Sequence, residues 1–492
     1  MFGKKSPEKV VTRFAPSPTG FMHVGGVRTA LFAYLFARKH KGTFILRIED
    51  TDRERLVPHA VEHIMETLQW TGISWDIGPN TPTNENPFGS VVQSERLPVY
   101  KEYAQKLIAK GLAYPDPYTH AELEAFREDA KREHRPFLYR DHRPKTFDAW
   151  DGTKPLRLKV EKPRRMEWFD EVRGELEAGP EVVDDIIIIK ADGYPTYNFA
   201  HIVDDHQMGV THIMRADEFI ASTPKFLTIY EALDIVPPKF VTLPPILRAD
   251  RKKKMGKRDG AEDALEYREN GYLPSAVVNF LALTGWNPGT DQEIFTIDEL
   301  VQTFALDGIH SGGAVLNEDK FDWINREHML KLSLDAYRTF ARQFVPKRLT
   351  NLPQWSEERF DALLPSIRER ISTAGEFRDT AEEGEYDYCF APIILDPGIL
   401  KWKKDETAAD ALPRLRYIAE ILAALPENVD RETVEATIMP YAEEVGRGEV
   451  LWPLRVALSG RERSVDPFTL ITLLGTAEAY RRVLYASDML RK

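Results

Sequence analysis

The sequence is short of cysteine, of long apolar runs and of net positive charge. Cys389 is the only cysteine among 492 residues, which excludes an intramolecular disulfide and a zinc site built from several cysteines. No apolar run approaches the roughly twenty residues that a membrane-spanning helix needs. The opening stretch, MFGKKSPEKV, is too short and too polar for a signal peptide. From these absences we expect a cytoplasmic protein with no membrane segment.

Acidic residues outnumber basic ones, so we expect no general affinity for nucleic acid. The chain has 78 Asp and Glu residues against 66 Lys and Arg, giving a net charge of −12. A surface that binds RNA must therefore be a local basic patch. The hydrophobic content of 42% and the charged content of 29% are typical of a globular protein. At 492 residues the chain is too long for one hydrophobic core, and we expect about two to four domains.

The segment from Val10 to Asp52 predicts a strand, a turn, a helix and a second strand. The first strand is Val10 to Phe14, and it is ended by the prolines and the glycine that follow it. Apolar residues then recur at helical spacing from Val27, and Gly42 is placed to cap the helix. Thr43 to Ile48 is the second strand, which makes a βαβ unit with parallel pairing the simplest interpretation. Such a unit presents the N–H groups of its helix where phosphates bind.

His23 lies at the start of that helix, followed by Gly25 and Gly26. The two glycines place no Cβ between the backbone and a ligand, so a base or a phosphate can approach closely. The segment contains neither GxGxxG nor GxxxxGK[ST], which argues against a dinucleotide fingerprint and a P-loop. Taken alone, these residues are explained more simply by a tight turn that carries a surface histidine.

A second informative block follows Asp184. The run Ile186 to Ile189 is typical of a buried strand, and we predict that it begins the second half of the nucleotide-binding sheet. Asp204, Asp205 and His206 invite a metal interpretation. We expect them on a strand, where consecutive side chains point to opposite faces, and therefore expect no metal site there.

The region from Arg251 to Arg258 carries six basic residues out of eight. Alone, such a run is typical of a basic patch or an RNA contact. From Asp259 onward the strand signals fade and helical patterns continue to the end of the chain. In this helical part, Trp402 beside three lysines and the pair Arg481 and Arg482 are candidate stacking and phosphate contacts, although ordinary helix surface explains each of them more simply.

Several motifs together resemble those of class I aminoacyl-tRNA synthetases. PSPTGFMHVGG resembles the HIGH signature, with Gly26 at its second histidine, and Lys254 to Arg258 resembles the KMSKS loop, with Gly256 at its serine. RFAPSPTG, RIEDTD and GYPTYNFAHIVDDHQMGVTHIMRADE are similar to the corresponding blocks of glutamyl-tRNA synthetases. The motifs occur in the register of that family, so the sequence resembles the bacterial-type glutamyl enzymes.

The resemblance implies an α/β fold in which a Rossmann-type parallel sheet carries an inserted α+β domain and is followed by helical domains. The implied divisions are a first catalytic half at 1–113, an inserted acceptor-stem-binding domain at 114–184, a second catalytic half at 185–250, a KMSKS loop with a stem-contact helical domain at 251–330, and a helical anticodon-binding region in two parts at 331–390 and 391–492.

The resemblance also implies the activity of a glutamate–tRNA ligase. The substrates would be ATP with Mg²⁺, L-glutamate and tRNA(Glu), and the family suggests a monomer. Two alternatives stay open: a form that also charges tRNA(Gln), and an inactive paralogue that only binds tRNA. A glutaminyl enzyme and an enzyme that glutamylates a tRNA base fit less well, because the long helical tail is atypical of both.

The chemistry needs positioning and charge stabilisation without a general base, because the substrate carboxylate is itself the nucleophile. By resemblance, His23 and Lys257 are the catalytic residues, and no residue is assigned to a metal. The implied ATP-binding residues are His23, Gly25, Gly26, Glu218, Leu247, Lys254 and Lys257. The implied glutamate-binding residues are Arg13, Ser17, Glu49, Tyr197 and Arg215, with Glu49 facing the α-ammonium group and the arginines suited to the carboxylates.

Overall fold

The structure is a computed structural model that describes residues 9–82, 84–247 and 263–491. The predicted residues Lys254 and Lys257 lie outside these ranges. The chain forms two compact units, one made of the described residues up to Arg268 together with Pro274–Ile324, and the other made of Glu269–Leu273 and the described residues from Asn325 onward. None of the helices in the described ranges combines the length and the apolar composition needed to cross a membrane.

The strands belong to the first unit. They are β1 Val11–Phe14, β2 Thr43–Leu46, β3 Ala113–Pro115, β4 Leu156–Leu158, β5 Met166–Asp170, β6 Gly174–Ala178, β7 Ile187–Ile189, β8 His212–Ala216, β9 Lys239–Leu243, β10 Ile246–Leu247 and β11 Ala314–Val315.

The α-helices occur in both units. They are α1 Val24–Lys39, α2 Ala60–Trp70, α3 Leu97–Ala109, α4 His120–Arg132, α5 Tyr197–Gln207, α6 Thr223–Ala232, α7 Glu266–Glu269, α8 Pro274–Leu283, α9 Ile297–Thr303, α10 Glu318–Lys331, α11 Leu334–Ala341, α12 Lys347–Thr350, α13 Glu357–Arg370, α14 Ala374–Glu382, α15 Asp387–Phe390, α16 Leu412–Ala424, α17 Arg431–Val445, α18 Arg447–Ser459, α19 Pro467–Leu474 and α20 Thr476–Met489.

The main sheet has the strand order β2-β1-β8-β9-β5-β6. Strands β2, β1, β8 and β9 pair in parallel, and β5 joins β9 in parallel before it turns back into β6. The predicted βαβ unit is confirmed, with Val11 opposite Thr43 and helix α1 between the two strands. Apolar residues from helices α3, α5 and α6 pack on this sheet and form its buried core.

The position of the 186–189 strand was predicted wrongly. Strand β7 pairs antiparallel with β4, which pairs antiparallel with β3, so it lies in a separate three-stranded sheet. The second half of the main sheet is made instead by β8 and β9, and its edge by the β5-β6 hairpin. An apolar run of strand length identifies a buried strand but does not reveal which sheet the strand joins.

Gly42 helps to cap helix α1 as predicted, because its N–H donates to the carbonyl of Ala37 at 2.8 Å, but a second contact explains why it is a glycine. Helix α1 ends at Lys39, and the residue with a positive φ is Lys41, at 50°. A Cβ on Gly42 would lie 2.2 Å from the carbonyl oxygen of Val10. The glycine therefore lets the start of β2 approach the start of β1, which brings the carboxyl ends of both strands into register at the opposite edge.

The second unit is helical throughout its described residues, with α16, α17, α18, α19 and α20 packed against one another. The predicted fold class is thus confirmed as an α/β unit with a mixed, largely parallel sheet and a helical carboxyl-terminal region. All of the predicted domain divisions remain predictions.

Candidate active site

A cavity of about 620 Å³ opens where strands β1 and β8 end and helix α1 begins. Nine of the predicted site residues line it, namely Arg13, Ser17, His23, Gly25, Gly26, Glu49, Tyr197, Arg215 and Glu218. Leu247 follows the lining residue Ile246, and its carbonyl oxygen accepts the N–H of Leu316 at 3.1 Å. Residues distant in the sequence therefore share one cavity, at the sheet edge where α/β folds bind ligands.

His23 is the N-cap residue of α1, and its ring folds back over the first helical turn. The ring atom Nδ1 accepts the N–H of Gly25 at 3.1 Å. Because Nδ1 is an acceptor, the proton of the neutral ring lies on Nε2. A Cβ on Gly25 would come within 2.8 Å of the ring. Gly25 thus makes room for the histidine, and its role in letting a ligand approach stays a prediction.

Beneath Arg13 and Glu49, the floor of the cavity is a buried network of charges. Arg47 has no exposed surface and donates to Glu49 Oε1 at 2.9 Å and to Asp205 Oδ1 at 2.7 Å. The same Asp205 oxygen accepts from Arg13 Nε at 3.0 Å. Buried ion pairs fix the geometry of their partners because breaking one leaves an uncompensated charge. Arg47 and Asp205 therefore hold Glu49 and Arg13 in place.

The pKa values of the two buried carboxylates in this network are shifted in opposite directions. Burial raises the pKa of Glu49 to about 6, and the attraction of Arg47 and Arg13 offsets only part of that effect. Burial also acts on Asp205, but Arg13 and Arg47 outweigh it and lower the pKa of Asp205 to about 2. Asp205 is thus ionised throughout the physiological range, whereas Glu49 becomes fully ionised only above neutral pH.

Arg215 is a buried cation with spare hydrogen-bonding capacity. Its Nη2 donates to Thr223 Oγ1 at 2.7 Å, and its ring neighbours Phe226 and Phe240 lie 5.0 and 4.8 Å away. Among the described residues, no partner accepts from its Nε or its Nη1. Burial lowers the pKa of the guanidinium to about 10, so it stays charged at neutral pH. A buried guanidinium with two donors to spare is a strong binding site for a carboxylate.

Tyr197 is positioned by a neutral histidine one turn later in α5. The rings of Tyr197 and His201 stack with centroids 4.7 Å apart, and His201 Nδ1 donates to the Tyr197 carbonyl at 2.8 Å. Burial lowers the pKa of His201 to about 3, so the ring adds no charge to the cavity. Its function here is to fix the tyrosine ring against the cavity wall.

The run Asp204, Asp205 and His206 lies on helix α5, and our expectation of a strand there was wrong. Asp204 accepts from Arg96 Nε and from the Tyr100 hydroxyl, each at 2.8 Å. Within the described ranges no group of three His, Cys, Asp or Glu side chains could hold a metal ion. The two aspartates therefore balance buried arginines on two sides of the helix.

Sequence reasoning missed Arg28 and Arg47. Arg28 lines the cavity, donates from Nη1 to the carbonyl of Thr284 at 3.1 Å, and has a pKa lowered to about 10 by burial. Arg47 alternates with apolar residues two positions before Glu49. Charged residues at period two inside a buried strand point to one face of it, and this signal could have identified Arg47 as a partner of the site.

A separate cavity of about 420 Å³ lies in the second unit. Its walls include Trp402, Arg370, Arg447, Arg455 and Trp452. Arg455 stacks on Trp452 at 4.9 Å. One candidate contact from the sequence, Trp402, thus joins other arginine and tryptophan side chains.

The candidate phosphate contact Arg482 was wrong. It is buried and donates from Nη1 to the carbonyl oxygens of Tyr388 and Leu458, each at 2.7 Å. Its neighbour Arg481 is exposed and pairs with Glu478 at 2.7 Å. Arg482 is therefore part of the helical core of this unit.

Comparison with known proteins agrees with this geometry. Residues 9–323 match the family described as "tRNA synthetases class I (E and Q), catalytic domain", and residues 339–486 match the family described as "Anticodon binding domain". The glutamate–tRNA ligase of Anaeromyxobacter dehalogenans (strain 2CP-C) is 39% identical over 97% of this chain and 98% of its own length. The glutamate–tRNA ligase of Carboxydothermus hydrogenoformans is also 39% identical, over 96% of this chain and 99% of its own length.

Solved structures show the same relationship. The crystal structure of a glutamate tRNA ligase from Elizabethkingia meningosepticum, in complex with its amino acid, is 31% identical, covers 98% of this chain and 100% of its own, and has a TM-score of 0.85. The matches extend over both units. The chain therefore belongs to the glutamate–tRNA ligase family of class I aminoacyl-tRNA synthetases.

Proposed function

We propose that this chain activates L-glutamate with ATP and transfers it to the terminal adenosine of tRNA(Glu), releasing AMP and pyrophosphate. The observation that carries the proposal is the asymmetry of the cavity. One end presents the buried, under-satisfied guanidinium of Arg215, and the other presents the N-cap ring of His23 at the start of α1. An anionic amino acid fits the first end, and a phosphate fits the second.

The amino-acid end selects glutamate by charge. Arg13 and Arg47 pair with the carboxylates of Glu49 and Asp205, and the guanidinium of Arg215 adds a third positive charge to this end of the cavity. Bound glutamate carries two carboxylates and one ammonium group, so it brings the set to neutrality. In this arrangement Glu49 binds the α-ammonium group, and Arg215 and Arg13 bind the carboxylates. Glutamine would leave Arg215 buried without an anionic partner, which is a strong basis for rejection.

The nucleotide end stabilises the charge that develops during adenylation. An α-carboxylate oxygen of glutamate attacks the α-phosphorus of ATP, and the bond from that phosphorus to the bridging oxygen breaks as pyrophosphate leaves. His23 Nε2–H acts as a donor to the phosphate oxygens, aided by the positive end of the α1 dipole. Lys257 and Lys254, outside the described residues, are assigned to the same phosphates by resemblance, and Glu218 and Leu247 to the nucleotide.

Mg²⁺ fits this site only as a partner of ATP. Within the described ranges there is no cluster of acidic and histidine side chains that could hold a metal ion. Mg²⁺ commonly binds through substrate phosphates, water and one or two carboxylates, and Glu218 is the acidic side chain at the nucleotide end of the cavity. When bound, the ion would neutralise phosphate charge.

The cavity of the second unit is a candidate site for bases of the anticodon. Trp402 and Trp452 offer flat faces for stacking, and Arg370, Arg447 and Arg455 offer charge for phosphates or base edges. This combination is typical of single-stranded RNA recognition, and it lies within the residues that match an anticodon-binding domain. In this proposal, bases bound here contribute to the choice between tRNA(Glu) and tRNA(Gln).

The test is aminoacylation with radiolabelled glutamate, with tRNA(Glu) and tRNA(Gln) assayed side by side and glutamine as the control amino acid. We expect charging of tRNA(Glu) with glutamate and none with glutamine. Charging of both tRNAs would identify a non-discriminating enzyme. Binding of tRNA without any charging would overturn the proposal in favour of an inactive paralogue.

A further inference from the structure

A cluster outside the cavity joins three segments around the ring of His63, on helix α2. His63 Nε2 lies 2.7 Å from Asp263 Oδ1 and 2.8 Å from Oδ2. Its Nδ1 accepts the N–H of Met22 at 3.3 Å, and the ring of Phe21 stacks on it with centroids 4.5 Å apart. Met22 and Phe21 immediately precede His23, so the cluster contacts the segment that delivers the catalytic histidine.

The backbone of the same segments is also paired. His23 and Asp263 form an antiparallel bridge, and the N–H of Ala264 donates to the carbonyl of Met22 at 2.9 Å. Asp263 Oδ1 further accepts the N–H of Leu265 at 2.9 Å, which fixes the direction of its carboxylate. His63 is thus the side chain that connects helix α2 to both paired strands.

The hydrogen bonds of His63 determine its tautomer. The carboxylate of Asp263 can only accept, so His63 Nε2 carries a proton, and the backbone N–H of Met22 can only donate, so Nδ1 carries none. The Thr67 hydroxyl, 3.5 Å from Nδ1, donates its proton to the His63 carbonyl at 2.8 Å and does not compete for this acceptor. The neutral ring satisfies both neighbours simultaneously, as ligand-holding histidines do with their outer partners.

We infer that His63 is a positioning residue for adenylation, which fixes the Met22 amide and thereby the N-cap orientation of His23. This inference rests on the proposed function. His63 is 89% buried as a side chain and does not line the cavity, so it acts only through the 21–23 segment. A donor displaced by about 1 Å from the phosphate costs far more in rate than in substrate binding.

Two single substitutions separate the two contacts of the ring. His63→Gln retains a donor at the position of Nε2 for Asp263 but loses the acceptor for Met22, whereas His63→Asn retains an acceptor at the position of Nδ1 but is too short to reach Asp263. Glu66→Gln is the matched control, because Glu66 lies one turn later on α2 and pairs with Arg268 at 2.8 Å without touching residues 21–23.

The assay is glutamate-dependent pyrophosphate exchange in the presence of tRNA, with KM and kcat measured separately. We expect His63→Gln to lower kcat about five- to tenfold, the size of one lost hydrogen bond, with the KM for glutamate unchanged. His63→Asn and Glu66→Gln should stay within about twofold of the wild type. A wild-type kcat in His63→Gln, a kcat in His63→Asn as low as in His63→Gln, or an equal loss in Glu66→Gln would overturn the inference.

Hydrogen–deuterium exchange of the peptide that contains Met22 tests the contact without catalysis. The Met22 amide should exchange faster in His63→Gln than in His63→Asn or the wild type, and equal rates would overturn the inference. If the wild type shows no ligase activity, the proposed function fails while this measurement still decides the contact. Should His63→Gln not fold, His63→Leu, which also removes the acceptor for the Met22 N–H, is the replacement, with the same expected direction.

Discussion

The two ends of the cavity are built in different ways. At the amino-acid end, Arg13, Arg47, Glu49 and Arg215 are each at most 6% exposed and come from three strands or their carboxyl ends, with Asp205 of α5 beneath them. At the nucleotide end, His23, Gly25 and Gly26 come from one turn of chain and are half-buried. Under the proposed assignment, substrate selection depends on a tertiary charge network, whereas phosphate chemistry depends on a local motif and a helix start.

The largest effect should follow the loss of the under-satisfied guanidinium. Arg215→Met should lower kcat/KM for glutamate by at least about a thousandfold, because the substrate carboxylate would be buried without its cation. The KM for ATP should change little. The unfolding temperature of the substrate-free protein should rise, since a buried cation with two unused donors opposes folding.

The control for this variant is Arg38→Gln. Arg38 pairs with Asp76 at 2.7 Å on the surface of the same unit, away from the cavity. The Arg38→Gln variant should have the same steady-state rate of pyrophosphate exchange as the wild type. A kcat/KM for glutamate within tenfold of the wild type in Arg215→Met would mean that another group binds the side-chain carboxylate.

Next in size is the effect at the nucleotide end. His23→Ala should lower kcat by about a hundredfold to a thousandfold, the cost of removing one pre-aimed donor to a developing charge. The KM for glutamate should stay within about threefold, because the hydrogen bonds that join Arg13, Arg47, Glu49 and Asp205 to one another do not run through His23. Steady-state kinetics of pyrophosphate exchange measure kcat and the KM for glutamate separately. A parallel rise in the KM for glutamate would remove the distinction between the two ends.

A pH dependence of intermediate size should belong to the amino-acid end alone. Burial raises the pKa of Glu49 to about 6, and glutamate requires the ionised form for its ammonium group. Below that pKa a proton competes with the substrate, so the apparent Kd should rise toward tenfold per pH unit between pH 6 and pH 5, and binding at pH 6 should release about half a proton.

Calorimetry in buffers of different ionisation enthalpy measures this proton release. Glu49→Gln should bind glutamate weakly and without the pH dependence, whereas His23→Ala should retain it. A Kd that is flat from pH 7.5 to pH 5, or proton uptake on binding, would show that Glu49 does not face the ammonium group.

The smallest effect is expected far from the chemistry, in the second unit. Trp402→Ala should raise the KM for tRNA about five- to tenfold, as expected for one lost stacking contact, with exchange kcat nearly unchanged at saturating tRNA. Arg481→Ala, on the exposed face of α20, is the control and should have no effect. Equal KM values for wild type and Trp402→Ala would exclude this cavity as a tRNA contact.

The difference between the two ends of the cavity also explains which features could be predicted from the sequence. The turn with His23 and its glycines is contiguous, so its strand, its helix and the location of His23 near the helix start could be predicted from spacing alone. Arg47 and Asp205 are 158 residues apart, and no local pattern indicates that they meet. The assignment of β7 to the wrong sheet has the same origin, because pairing partners are a tertiary property that strand propensity does not encode.

Resemblance supplied what spacing did not. Arg13, Glu49, Tyr197 and Arg215 were assigned together only through family motifs, and the structure places them around one cavity. The charge count explains why these residue types are needed there. The reason that Gly25 is a glycine, by contrast, could not be predicted from the sequence, because it depends on the rotamer of His23.

The most direct test is a crystal structure with a non-hydrolysable glutamyl-adenylate analogue. We predict the side-chain carboxylate at about 2.7–2.9 Å from the Arg215 guanidinium, the ammonium group at Glu49, and the phosphate beside His23 Nε2. An analogue bound in the reverse direction, or with its carboxylate away from Arg215, would contradict the assignment of the two ends.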